Sequence, residues 1–439
     1  MTKQKHRKAR IRARMARTGE RYVTARRHLL GEQAGGPAGD HGYRLRGGVH
    51  PETAAIANTL ANLGVTAAHD AQPLSEAMVL GVGGGLGAGY ILWEFKAYHA
   101  RILVLGFRNQ WQYPERWTAK VLDRLGIEAE LHHTGGARAA ADRLDRALDQ
   151  GRPAIAWVDH QLIGYWHLPE FLSGHAGYPI VVHGRDGERV RVDDRNLAPL
   201  TMPRASLDAA RARIGSYRHR LVVIEPGAVA ADRLRAAVTT GVADCAEHLS
   251  QNSASFSLPA WRKWARMMTD TRNAKAWPRV FADPRGLVGA LASAYEGIEP
   301  LGTGGGNLRG LYADFLDEAA ALLDRPELGQ VAAGFREIAT AWHGLAEAAL
   351  PLTEPAFAEL RELLATVHTS VVADGDAGAG AAAEAAGRLW ELRTRYRSDT
   401  PLDAAATQAL FQTLGAAVDA IHQAEVAAVE RLTMVAAKL

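Results

Sequence analysis

The sequence predicts a mixed α/β (α+β) domain followed by an all-helical domain, with a basic helical arm in front. Three observations predict it. β-rich runs are confined to the stretch before Pro226, helical periodicity alone fills the chain beyond it, and cationic residues crowd into the first 31 positions. With 439 residues, 47% of them apolar and 23% charged, the chain suits two or three domains of about 100 to 200 residues each. The expected divisions are an arm over 1–31, a linker over 32–42, an α/β domain over 43–226 and a helical domain over 227–439.

The net charge of +3 averages two unlike parts. Residues 1–31 carry three lysines, eight arginines and a single acid, Glu20, a net +10, and the other 40 cations and 47 acids leave −7. Such a segment, rich in Ala and Arg and unbroken before Thr18-Gly19, reads as a helix with a thin apolar stripe. Arg7, Arg10, Arg12, Arg14, Arg17 and Arg21 are its candidate nucleic-acid contacts, made through phosphates and therefore salt-dependent. An acidic partner protein, or the acidic body itself, would answer the same charge. The glycine-rich stretch before Tyr43 reads as a linker.

In the α/β half, Pro51 to Leu63 is an expected helix with proline at its first position. The runs 102–106, 154–158 and 221–224 read as buried strands, and 117–125 and 137–148 as helices between them. A hairpin is expected from Tyr178–Gly184 and Arg189–Asp193, where Asp186-Gly187 supplies the positive φ of a tight turn. Beyond Pro226 helices are expected over 228–249, 259–270, 286–295, 308–323, 329–350, 354–372, 379–396 and 401–439. Asp374-Gly-Asp-Ala-Gly interrupts them.

Composition excludes several classes. Cys245 is the one cysteine, so there is neither an internal disulfide nor a cysteine zinc cluster. No apolar run approaches the ~18 residues of a membrane span, and the N-terminus has no apolar segment of the signal-peptide kind. The expectation is a cytoplasmic protein without a membrane partner. The scattered histidines lack the spacing of a metal site, and neither metal nor cofactor is expected.

Two glycine clusters invite a phosphate reading. Gly81 to Gly89 lacks a convincing preceding strand and a correctly spaced acid, which disfavours a dinucleotide site; it reads instead as a loop packed against backbone or lining a pocket. Gly302-Thr-Gly-Gly-Gly306 precedes a helix with Arg309 nearby, which suits either an anion at the helix start or an Asn307-capped turn. Trp111-Gln-Tyr-Pro-Glu-Arg-Trp117 offers aromatic stacking, or the closure of a core. Gly83, Gly84, Gly85, Trp111 and Tyr113 are thus the candidate substrate-binding residues.

The segment Gly47-Gly-Val-His-Pro-Glu-Thr-Ala54, with Leu74-Ser-Glu-Ala-Met78 and Gly81–Gly89, resembles the N-terminal domain of the butirosin biosynthesis protein H family. Gly302–Gly306 with Leu311-Tyr-Ala-Asp-Phe-Leu-Asp-Glu318 resembles the helical domain of unknown function that follows it in many members. The resemblance implies a papain-like (cysteine-protease-type) α/β fold that moves an acyl group from a carrier-protein thioester to an amine through an enzyme cysteine. That chemistry needs a thiolate at a helix N-terminus, a histidine base and an orienting acid. The resemblance places the nucleophile at Pro51, the base at Tyr178, and the acid at Asp194 or its neighbour Asp193.

Two functions fit these residues. One is acyl or aminoacyl transfer to an amine in specialised metabolism without the cysteine, with His50, Glu52, Tyr178, Asp194 and His175 as candidate catalytic residues. A carrier protein or aminoacyl-tRNA would be the donor. His50 or His175 would act as general base. The other is a non-catalytic binding protein that uses the arm for nucleic acid or an acidic partner and the cleft for a small ligand.

Overall fold

A computed structural model describes residues 42–175, 177–301 and 304–439. The arm, its six candidate arginines and the linker up to residue 41 lie outside these residues, as do Gly302 and Thr303.

The first half is a mixed α/β region. Helix α1 (Pro51–Asn62) starts on its proline. Helix α2 (Glu76–Val82) is capped by Ser75, whose hydroxyl accepts from the Met78 N–H at 2.8 Å. Strands β1 (Leu86–Phe95) and β2 (Ala100–Arg108) form a separate antiparallel hairpin. The Gly81–Gly89 run, expected as a loop, is therefore the end of a helix and the start of a strand. Its glycines let this stretch lie directly against Phe315, Trp117, Asp244 and Tyr312, where a Cβ would collide.

After helix α3 (Pro114–Leu125) comes a six-stranded antiparallel sheet. Its strands are β3 (Ala129–His132), β4 (Ala154–Asp159), β5 (Gly177–Asp186), β6 (Arg189–Asp193), β7 (Thr201–Pro203) and β8 (Leu221–Ile224). They lie in the order β3-β8-β4-β5-β6-β7. Helices α4 (Ala137–Asp149) and α5 (Arg204–Arg213) complete this half. The β5–β6 hairpin turns on Gly187 at φ +59°, with Asp186 opposite Arg189, as the Asp-Gly pair predicts.

Strand alternation separates two apolar layers. Ile155, Trp157 and Val181 face a large core, while Ala156, Val158, Ile180 and Val182 face a second one. The large core continues without interruption into the helical half, from Tyr43 to Leu432.

That half consists of α6 (Ala231–Ser250), α7 (Pro259–Thr269), α8 (Trp277–Val280), α9 (Leu287–Ile298), α10 (Arg309–Leu323), α11 (Pro326–Ala349), α12 (Pro355–Val372), α13 (Ala379–Arg395) and α14 (Ala404–Ala436). The Asp374–Gly378 interruption docks on the sheet. Its Asp376 carboxylate accepts from the Thr201 N–H at 3.0 Å and the Thr201 hydroxyl at 2.9 Å. Among the described residues no helix is long and apolar enough to cross a membrane.

Candidate functional site

The start of α1 is held by charge. The Glu76 carboxylate accepts from the N–H of Val49 at 2.9 Å, the N–H of His50 at 2.8 Å and the Thr53 hydroxyl at 2.8 Å. A negative group here satisfies amides left open at a helix start and faces the positive end of the helix dipole. The sequence motif contains Glu76 without assigning it a role. Its position directly after the Ser75 cap is the available signal.

His50 is the residue before α1 and is buried. Its Nε2 lies 3.6 Å from Glu52 Oε2, and its Nδ1 has no hydrogen-bond partner among the described residues. Burial holds its pKa well below the usual histidine range, and the Arg108 and Arg195 guanidiniums push the same way. Glu52 is taken up by Arg108, whose Nε and Nη2 reach Oε2 at 3.0 and 2.9 Å. Arg108 is itself buried, with its guanidinium 4.3 Å from the Trp117 ring centre.

The strand side supplies the second half of the site. The Tyr178 hydroxyl donates to Asp194 Oδ1 at 2.7 Å, so the predicted tyrosine and acid meet. The other carboxylate oxygen accepts from the Tyr165 hydroxyl at 3.0 Å and Trp166 Nε1 at 2.8 Å. Burial, with Asp194 alongside, raises the Tyr178 pKa well above 10, so the phenol stays protonated. Asp193, the alternative acid, points elsewhere: it accepts from the Tyr43 hydroxyl at 2.8 Å and Asn58 Nδ2 at 3.0 Å. Burial lifts its carboxyl to about 6.

Arg195 joins the halves. Its Nη1 donates to the Val49 carbonyl at 3.0 Å, its Nη2 to the Tyr178 hydroxyl, and its Nε lies 3.3 Å from Asp194 Oδ1. The side chain is 3% exposed, so this guanidinium fills the space between the start of α1 and Tyr178. Nothing in the sequence motif separates it from any other arginine after a strand.

Several expected positions differ. His175 is exposed and sits edge-on to Phe95, with ring centres 5.3 Å apart; the imidazole beside Tyr178 is His160, stacked at 4.0 Å and 7°. Residues 159–162 fold back on the start of β5, where the Asp159 side chain accepts from the Gln161 and Leu162 amides. His160 thus lies over the phenol, and burial followed by Arg195 pushes its pKa to about 3. His183, of opposite strand parity, stacks on Tyr43 at 4.1 Å.

Gly83, Gly84 and Gly85 are buried and tightly packed. A Cβ on them would meet Trp117, then Asp244 and Asn109, then Tyr312 and Cys245. Trp111 covers Gly89 and Gly106 in the same way, and Tyr113 is exposed, with Arg116 4.9 Å from its ring centre. Of the aromatic run, Trp117 belongs to the large core. Cys245 is buried against Gly85, and burial pushes its thiol to about 11. Arg309 is no anion site either. It is fully buried, and its Nε and Nη2 each reach a Glu425 oxygen at 2.8 Å. The α10 cap is Leu308, although the Asn307 side chain does accept from the Arg309 N–H at 3.1 Å.

Gly305 packs on His50 from the helical half. Among the described residues no group of three metal-ligating side chains exists. No curated protein matches the chain. Residues 50–195 match the family model for butirosin biosynthesis protein H, N-terminal, and residues 205–370 match that for a domain of unknown function, DUF4872. Residues 50–195 thus belong to the butirosin biosynthesis protein H N-terminal family, and the chain continues into a DUF4872 domain.

Proposed function

We propose that this protein serves specialised metabolism as a ligand-binding member of its family, without cysteine-dependent acyl transfer. The position of Arg195 carries the reading: its guanidinium bridges Val49 and Tyr178, in the gap where a thiolate and a histidine base would face each other in a papain-like arrangement. Pro51 and Tyr178 supply neither group. The helix start against the first residues of β5, with Asp194 after β6, is what favours the papain-like fold itself.

A second reading keeps chemistry. A neutral His50, with Nε2 near Glu52 and Nδ1 unpartnered among the described residues, has the form of a general base for direct attack of an amine on an acyl donor such as a carrier-protein thioester or an aminoacyl-tRNA ester. Its depressed pKa makes it a weak one. The basic arm, by its +10 charge, is proposed to hold a polyanion.

The deciding experiment mixes the full chain with an N-acetylcysteamine thioester and glycinamide, and reads intact mass and amide formation. Binding without turnover predicts no acyl adduct and an amide yield equal to that of His50→Ala. An adduct, or amide formation that His50→Ala abolishes, would establish transfer instead.

A further inference from the structure

We infer a second binding site, for a small uncharged carbonyl compound, in the cleft between α3 and the β3 edge of the six-stranded sheet. It is separate from the Tyr178–Asp194 network and does not rest on the reading given to that network. The cleft has a volume of about 270 Å³, just below the range of drug-sized pockets, which suits a molecule with one ring.

Its floor is unusual. Thr118 from α3, Trp157 from β4 and Arg220 beside β8 line it, and each is more than nine-tenths buried. Thr118 Oγ1, Trp157 Nε1 and Arg220 Nε have no hydrogen-bond partner among the described residues. Two of these groups can only donate and the third can do either. A buried donor left unsatisfied costs about 1 to 3 kcal/mol, so three around one cleft favour a ligand with acceptor oxygen. The walls are apolar, made by Leu122, Ile127, Leu131 and Val222. Leu131 is 44% exposed at the rim, where the β3 edge has no further strand beside it.

Charge narrows the class. Glu115 and Asp123 also line the cleft, and Glu115 already holds Arg220 through a 2.6 Å ion pair. With the guanidinium neutralised, a ligand carboxylate would face two acids and no free cation. An amide, ester or lactone carbonyl on an aliphatic or aromatic body meets the donors without that repulsion.

Ligand-observed NMR on the full chain with benzamide, benzoate and toluene tests this. Benzamide is expected to bind more tightly than the other two. Thr118→Val, which removes one hydroxyl, should weaken it about fivefold, and Ala119→Phe, on the exposed side of α3, should displace it. Matching thermal midpoints for the variants and the parent chain exclude misfolding as the cause. Absence of benzamide binding, equal affinity for toluene, tighter binding of benzoate, or affinity unchanged in both variants would overturn the proposal.

Discussion

Arg195 Nη1 donates to the carbonyl oxygen of Val49 at 3.0 Å, tying the turn after β6 to the chain entering α1. The bond joins segments 146 positions apart and sets the spacing between His50 and Tyr178. Arg195→Met keeps the stem but removes this bridge and leaves the Asp194 carboxylate buried among neutral donors. The expected loss is about 3 to 5 kcal/mol, as for other broken buried ion pairs, read from urea unfolding midpoints.

Stability should fall on acidification below pH 6.5. His50 and His160 are held neutral in the fold, with pKa values below the unfolded 6.5, so the unfolded chain takes up protons first. Asp193 works the other way: raised to about 6, it is protonated earlier in the fold and offsets part of the loss between pH 6 and 3.8. His160→Phe keeps the stack on Tyr178 and removes one titration. Between pH 7.5 and 5 its stability should drop by about 2 kcal/mol less than the parent's, measured by denaturant titration at each pH.

Glu425→Gln is expected to destabilise by about 3 kcal/mol. The carboxylate accepts from Arg309, from Trp261 Nε1 at 3.1 Å and from Trp342 Nε1 at 2.7 Å. A glutamine NH₂ turns part of that acceptor set into a clash of donors. Because Arg309 Nη2 also reaches the Gly87 carbonyl at 3.2 Å, hydrogen exchange should quicken in β1 as well as in the helices.

Two helix glycines should respond oppositely to alanine. At Gly241 in α6 a Cβ would run into the Gly81 carbonyl, which cannot swing away as a side chain could; the expected cost is about 1 to 3 kcal/mol. At Gly344 in α11 a Cβ meets nothing within 4 Å, and Gly344→Ala should stabilise by about 0.5 to 1 kcal/mol. Thermal midpoints of the two variants decide this.

Cys245 should be inert in the native protein. Its buried thiol, shifted to about 11, offers almost no thiolate at neutral pH. Ellman's reagent should react at the unfolding rate in buffer and at once in denaturant. Prompt native labelling would contradict the packing at Gly85.

Local signals in the sequence are strong where one element satisfies itself. The Asp186-Gly187 turn, Pro51 at the first position of α1 and the long amphipathic stretches after Pro226 each state their structure within a few residues. The Gly81–Gly89 run does not, because its glycines answer to α3, α6 and α10, far along the chain. The Tyr178–Asp194 pair is legible as a hairpin neighbourhood. Arg195, Glu76 and His160 are not, since a charged residue after a strand or cap carries no mark of the partner that will bury it.

The sequence by itself determined a mixed α/β half followed by a helical half, one cysteine far from the expected nucleophile position, and proline and tyrosine where the family resemblance puts the reacting pair. Tertiary structure alone decided that the gap between them is spanned by a guanidinium, and that His160 rather than His175 lies on the phenol. Periodicity and turn chemistry are short-range properties and can be read along the chain. Desolvation and charge pairing depend on which distant groups share one buried volume, and only the packed fold sets that.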